Sequence, residues 1–309
     1  MRSLLKPGDE VIVTNQDHEA NVGAWRRLAE HGMVIKEWQI NANTAELEID
    51  DLKSLLSNKT KIVAVTHCSN IVGSINDLKA IAKLVHEYDA YIVGDGVSYA
   101  PHGFPDVKDL GVDFYAFSLY KTYAPHLGLL YGKKEILDLL PNQNHEFLEG
   151  DVPYTLNPGG PNHEELSCLI GVYEYFNNLF EHHFPGQEGS VREKIVAVNE
   201  LIAHHEMEIA NPLLDYINSR DDINLIGKNQ ISNKDRAPTI AFTMNNKSSK
   251  ELSSNLVKHG IATRNDNFYA WRCLKALGID VDDGVVRTSM VHYNTHEDVD
   301  NLISALKKI

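Results

Sequence analysis

The sequence predicts an α/β protein, with a large domain on a mostly parallel sheet and a smaller α/β domain at the C-terminal end. Three observations carry this. Short apolar runs alternate with helical periodicity through the first half, the signature of βαβ units. The alternation changes near Pro158-Gly159-Gly160-Pro161, where prolines and glycines interrupt it. The chain has 309 residues, long for one average domain and about right for two. The division is expected at 1–185 for the large domain and 186–309 for the small one, the latter including a linking helix.

Each element has a local reason. Val11-Ile12-Val13 reads as a strand ending at Thr14-Asn15. Residues 19–31 read as a helix stopped by Gly32, which suits a left-handed cap. Residues 33–38 read as a strand, 47–56 as a helix and 61–66 as a buried strand. Asp77 opens a helix that sets Leu78, Ile81, Ala82 and Val85 on one face at i, i+3, i+4 and i+7. Residues 90–93, 114–117 and 127–131 complete the strands of the first half. A long helix spans about 190–217. A strand follows at 239–243, then a helix at 250–259 ended by Gly260, then a strand at 285–290. Thr295-His296-Glu297-Asp298 resembles a capping box with Asp in the Glu place, opening a helix that buries Val299, Leu302, Ile303 and Leu306.

Composition limits the function classes. Hydrophobic residues make up 43%, enough for a sizeable core. The net charge of −14 argues against nucleic acid or an anionic membrane as a general partner. Cys68, Cys168 and Cys273 are scattered, with no CxxC, so neither a disulfide framework nor a zinc site is expected. The sequence contains no apolar run of about 18 residues, and its start is too short in apolar residues for a signal peptide. A reducing, cytoplasmic setting is the expectation. His182-His183 and His204-His205 lack a third ligand at metal-binding spacing, so solvated helix faces are expected there. Tyr173, Tyr175, Phe176 and Phe180 read as helix packing.

The residues with most chemical content are Lys121 and Asp95. Lys121 follows the apolar run 114–117, and Asp95 follows Tyr91-Ile92-Val93. In open α/β sheets ligands bind beyond the carboxyl ends of the strands. A lysine there can form an imine with an aldehyde cofactor, and an aspartate can keep a pyridine nitrogen protonated. Together they suggest pyridoxal 5'-phosphate. Taken singly, Asp95 is also a plain turn aspartate beside glycine, and Lys121 a plain loop lysine. Ser118, Asn70 and His18 add polar groups at neighbouring strand ends. A nucleotide- or sugar-binding protein would want a glycine-rich turn after the first strand, and Thr14-Asn15-Gln16-Asp17-His18 has none.

Segments running almost end to end resemble the class V aminotransferase superfamily, and most of all its cysteine desulfurase branch. They are Thr14-Asn15-Gln16-Asp17-His18-Glu19-Ala20-Asn21, Thr66-His67-Cys68-Ser69-Asn70-Ile71-Val72-Gly73, Asp95-Gly96-Val97-Ser98, Ser118-Leu119-Tyr120-Lys121 and Arg287-Thr288-Ser289-Met290-Val291-His292-Tyr293-Asn294-Thr295. The resemblance implies a PLP-dependent transferase fold of type I, a homodimer and an amino-acid substrate. It implies that Lys121 carries the cofactor and moves protons, Asp95 pairs with the pyridinium, and His18 stacks on the ring. Asn70 would meet the ring's phenolic oxygen, with Ser98 beside it, while Ser118 and Tyr120 bind phosphate. Arg287 would clamp the substrate carboxylate, with Asn21 also on the substrate side; a planar bidentate donor suits the first task.

The chain departs from the family in three places. Tyr269 stands where a desulfurase has its nucleophilic cysteine, and Cys273, four residues on, reads as a structural thiol. Gly160 stands where relatives place a threonine that reaches the neighbouring subunit's phosphate. Relatives also carry a section ahead of the segment resembling Gly8-Asp9-Glu10-Val11-Ile12-Val13, with a glycine/threonine turn that cradles phosphate. The reaction is left open among desulfuration, elimination, transamination and racemisation. The alternative is a non-catalytic or split relative that keeps the fold as a binding or assembly module.

Overall fold

The computed structural model describes residues 2–151, 154–157, 159–232 and 235–309; Pro158, at the expected change of pattern, lies outside them. The first half comprises β1 (Glu10–Thr14), α1 (Glu19–Arg26), β2 (Val34–Trp38), α2 (Ile49–Leu55), β3 (Thr60–Thr66), α3 (Leu78–His86), β4 (Tyr91–Asp95), α4 (Val107–Leu110), β5 (Phe114–Ser118), β6 (Gly128–Gly132) and α5 (Lys134–Leu137). The six strands form one sheet in the order β2-β1-β3-β4-β5-β6. All neighbours are parallel except β5 and β6, which run antiparallel.

Both faces of this sheet are covered, which explains the continuous apolar runs of β1 and β3. Side chains alternate between faces with period two. Ile12, Val63, Val65 and Ile92 pack with Leu52 of α2 and with Leu78, Ile81 and Val85 of α3. Val11, Val13, Ile62, Ala64 and Val93 pack on the other side with Val22 of α1, Leu28 and Ile136 of α5. Asp77 caps α3 by accepting from the Ala80 N–H at 3.0 Å, and Leu78, Ile81, Ala82 and Val85 are buried, as the spacing predicts. The helix expected over 19–31 is shorter: α1 ends at Arg26 and continues as a 3₁₀ turn to Gly32, whose φ of +86° makes the left-handed stop.

The second half comprises α6 (His163–Ser167), α7 (Leu169–His183), α8 (Val191–Asn218), β7 (Ile223–Leu225), β8 (Thr239–Met244), α9 (Ser249–Lys258), β9 (Arg264–Asp266), α10 (Trp271–Ala276), β10 (Val285–Ser289) and α11 (His296–Leu306). Its four strands form an antiparallel sheet in the order β7-β8-β10-β9. β7 and β9 were not anticipated: at three residues each they are too short to show a period. α8 carries a Ser190/Glu193 capping box and runs through Pro212, held by burial of Ile209, Ala210, Leu213 and Leu214. α11 has the expected Thr295/Asp298 box and buries Val299, Leu302 and Leu306, with Ile303 half-buried. Phe176 and Phe180 of α7 pack on Val198 and Ile202 of α8, whereas Tyr173 and Tyr175 are partly exposed, Tyr175 resting against Tyr123 and Phe176. His182, His183 and His204 are exposed, whereas His205 departs from the expected solvated face: it is half-buried, its Nε2 2.8 Å from the Asn294 carbonyl. No group of three metal-ligating side chains occurs among the described residues. Among the same residues no helix is long and apolar enough to cross a membrane.

Gly96, just past β4, is set by packing. A Cβ there would come within 2.1 Å of the Tyr115 ring, which is fully buried and whose hydroxyl pairs with His67 Nδ1 at 2.7 Å. Gly96→Ala is expected to destabilise the fold by about 1–3 kcal/mol. Thermal unfolding should show a clear fall in Tm, and an unchanged Tm would contradict this packing.

Candidate active site

The carboxyl ends of β1, β3, β4 and β5 lie along one edge of the parallel sheet. Asp95 ends β4. Its carbonyl accepts from the His67 N–H at 2.7 Å and its Oδ1 from the Val97 N–H at 2.8 Å. Desolvation pushes its carboxyl above the ordinary range, while the Val97 N–H and the charge of Lys121 pull the other way. Lys121 sits in a 3₁₀ turn, Leu119–Thr122, directly after β5. Desolvation and the nearby Arg287 guanidinium lower its basicity, and Asp95 opposes them.

Arg287 comes from β10 of the second sheet. Its Nη1 donates to the Asn70 carbonyl at 2.9 Å, and its Cζ lies 3.8 Å from the centre of the Phe268 ring. Desolvation lowers its pKa to about 10. Asn70 Nδ2 donates to the Phe268 carbonyl at 2.9 Å, and Asn70 Oδ1 is buried without a partner among the described residues. Asn70, Phe268 and Arg287 thus join the two sheets at the site.

A cleft of about 300 Å³ opens here, with Asn70, Ser98, Tyr120, Lys121 and Arg287 in its walls. A wider depression of about 590 Å³ adjoins it through Arg287, Ser289 and Met290. His18 is the N-cap of α1; its Nδ1 accepts from the Ala20 N–H at 3.0 Å. Desolvation and the charge of Lys121 lower its pKa, which puts it within electrostatic reach of that lysine. Tyr269 lies with its ring centre 5.2 Å from that of His18, held by a hydrogen bond from the Glu19 N–H to its carbonyl at 2.8 Å. Ser118 ends β5, three residues before Lys121. Tyr120 is half-exposed and stacks on His126 at 4.6 Å. Asn21, like His18, Asp95 and Ser118, is not among the residues of the cleft's walls. One helical turn from Asp17, it donates to Asp17 Oδ1 at 2.6 Å.

Three polar groups at the site escaped the sequence reading. Asp17 is fully buried; desolvation raises its pKa to about 7, against hydrogen bonds from Asn21 and Thr14 and with added repulsion from Asp95. His102 lines the cleft and pairs with buried Glu206 of α8. Glu206 left a trace in the sequence, since it interrupts the otherwise apolar stripe Val198, Ile202, Ile209, Leu213 and Ile217. The thiols stand apart: burial pushes Cys68 and Cys273 each up to about 12, and Cys168 is exposed beside α6. None of the three is among the cleft's lining residues.

The arrangement can hold an aldehyde at Lys121, a cationic ring nitrogen at Asp95 and a carboxylate at Arg287. Comparison with known proteins shows the family. The family model for aminotransferase class-V matches residues 1–151 and 196–302. An aminotransferase-like protein of Gibberella zeae, FGM3, is 40% identical over 312 residues, covering 99% of this chain and 73% of its own. A cysteine desulfurase of Yersinia pseudotuberculosis is 30% identical over 324 residues, covering all of this chain and 73% of its own. The crystal structure of the Escherichia coli cysteine desulfurase CsdA superposes with a TM-score of 0.83 at 26% identity, over 99% of this chain and 73% of that one.

Asp17 makes stability depend on pH. Its folded pKa lies above the unfolded value near 3.8, so its contribution is complete below about 3.8 and is lost as pH rises through about 7. Asp17→Asn keeps an oxygen for Asn21 and removes the charge. It should raise Tm at pH 8, by an amount on the order of a few kcal/mol in stability, with the gain vanishing below pH 4. A pH-independent difference between the two proteins would contradict this.

Proposed function

The chain belongs to the aminotransferase class-V family, in its cysteine desulfurase-like branch, and on that premise we propose that it is a pyridoxal-phosphate enzyme acting on an α-amino acid. One observation carries the proposal. Lys121 and Asp95 stand at the ends of adjacent parallel strands, electrostatically coupled and both shifted by desolvation, with Lys121 and Arg287 in one cleft. Asn70 Oδ1 supports it: an acceptor buried without a partner among the described residues costs about 1–3 kcal/mol unless a ligand donor, such as the ring oxygen when it carries its proton, meets it.

When bound, the cofactor supplies an electron sink for charge developing at the substrate α-carbon. In this reading Lys121 holds the cofactor's aldehyde. Its lowered basicity keeps more of the amine neutral, available first as a nucleophile and then as a base beside the α-carbon. Asp95 keeps the pyridine nitrogen protonated, because a carboxylate disfavoured by desolvation gains from a cation set against it. His18, its Nδ1 committed to the start of α1, offers a ring face to the cofactor. Asn70 and Ser98 serve the ring oxygen, and Ser118 and Tyr120 the phosphate. Arg287 binds the substrate carboxylate through N–H donors left over from its bond to Asn70.

Within this reading we favour elimination, transamination or racemisation over transfer of sulfur to a thiol of this chain. The buried thiols are held near 12, and the loop position facing His18 is Tyr269. A homodimer and a cytoplasmic setting belong to the same proposal. Exposed Leu129, Leu130, Leu139 and Phe147 are apolar surface that a second subunit would cover.

Absorbance tests the proposal. Added PLP should give a visible band in the native protein and none in Lys121→Ala. Asp95→Asn should bind about 10–100-fold more weakly, the loss of one charge-assisted bond. No band in the native protein, or an equal band in Lys121→Ala, would contradict it.

A further inference from the structure

His102 and Glu206 form a buried pair that the reading above does not use. His102 Nδ1 lies 2.9 Å from Glu206 Oε2, and the two side chains are 10% and 3% exposed. They come from distant segments, a 3₁₀ turn at Ala100–His102 and the middle of α8. A carboxylate in an apolar helix stripe is costly unless it is charged against a partner or hydrogen-bonded to one. Its other oxygen, Oε1, is buried without a partner, so His102 is its one hydrogen-bond partner among the described residues. A carboxylate on Nδ1 selects the tautomer that carries its proton there, which leaves Nε2 with a lone pair. His102 also lines the cleft that holds Lys121, Tyr123 and Arg287.

We propose that His102 is a second proton acceptor of the cleft, acting on the ammonium group of an α-amino acid, and that Glu206 is its positioning residue. The inference rests on the reading that an amino acid enters this cleft. In that reading Lys121 is committed to the cofactor, so the incoming ammonium needs another base before its nitrogen can act as a nucleophile. The substrate N–H bond breaks, its electron pair stays on nitrogen, and the proton forms a bond to His102 Nε2. Glu206 balances the imidazolium charge, and the proton then leaves to water at the mouth of the cleft. Tyr99, Tyr120, Lys121, Tyr123, Arg236, Arg287, His292 and Tyr293 are the other titratable or charged groups of the described residues that line the two cavities beside the imidazole or couple to it.

Two measurements test this. In ¹⁵N-labelled protein without cofactor, the imidazole signals assigned by their loss in His102→Ala should show the Nδ1–H tautomer. Glu206→Met, which suits the apolar stripe, should remove that preference. A wild-type Nε2–H tautomer would overturn the proposal. The PLP-loaded protein is then mixed with each of the twenty common α-amino acids, and the fastest spectral change is followed. His102→Ala should keep the cofactor band but slow that change about 100-fold, and Glu206→Met about 10-fold. Added imidazole should restore part of the rate in His102→Ala, which a purely structural contact would not allow. An unslowed His102→Ala overturns the proposal. If no amino acid changes the wild-type spectrum, the functional reading fails instead, and the tautomer still decides whether this pair is poised as described.

Discussion

A parallel sheet covered on both faces buries the ends of its strands, and polar groups buried there must find partners. That constraint shapes this molecule. Thr14, Asn15, Gln16, Asp17, Thr66, His67, Ser69, Asn70 and Asn76 are all buried at the carboxyl edge. Asn15 Oδ1 accepts from the Ile40 N–H at 2.8 Å, and Gln16 Nε2 donates to the Ala45 carbonyl at 2.8 Å. Asn76 Nδ2 bridges Gln16 Oε1 at 2.8 Å and the Thr66 carbonyl at 2.9 Å. Each such bond left unmade would cost about 1–3 kcal/mol, so the network fixes the loops that follow β1, β2 and β3. The cleft is built on this rigid floor.

The second sheet completes the site from the other side. The register of β10 sets Arg287 opposite Ala241 of β8 and Arg264 of β9. Its bond to the Asn70 carbonyl ties that sheet to the polar floor. Phe268 and Tyr269 both hold positive φ, 50° and 61°, a costly backbone for non-glycine residues. Hydrogen bonds hold the loop in place: Asn267 Oδ1 accepts from the Tyr269 N–H at 3.0 Å, and Arg272 Nε donates to Glu19 Oε1 at 2.7 Å. The strained loop thereby presents Phe268 to Arg287 and Tyr269 to His18.

Much of this was legible in the sequence, and the failures have physical causes. Long periodic segments such as α3 and α11 announced their caps and buried faces, because period and capping are local properties. β7 and β9 exist only through pairing with β8 and β10, which no three-residue window reveals. Lys121, Asp95, Asn70 and Arg287 were found as groups at strand ends and in motif segments. Asn21 shared such a segment, and its side chain donates to Asp17, whose burial no local pattern announced. His102 and Glu206 lie 104 residues apart, and only tertiary packing makes them a pair. The one local clue was a carboxylate at a core position of α8.

The central claim is that Lys121 carries the cofactor at the edge of this sheet. Borohydride reduction of the protein after incubation with PLP, followed by peptide mass mapping, tests it most directly. The account predicts a pyridoxyl group on the peptide containing Lys121, formed at one equivalent of cofactor. Labelling spread over surface lysines, with Lys121 unmodified, would contradict it.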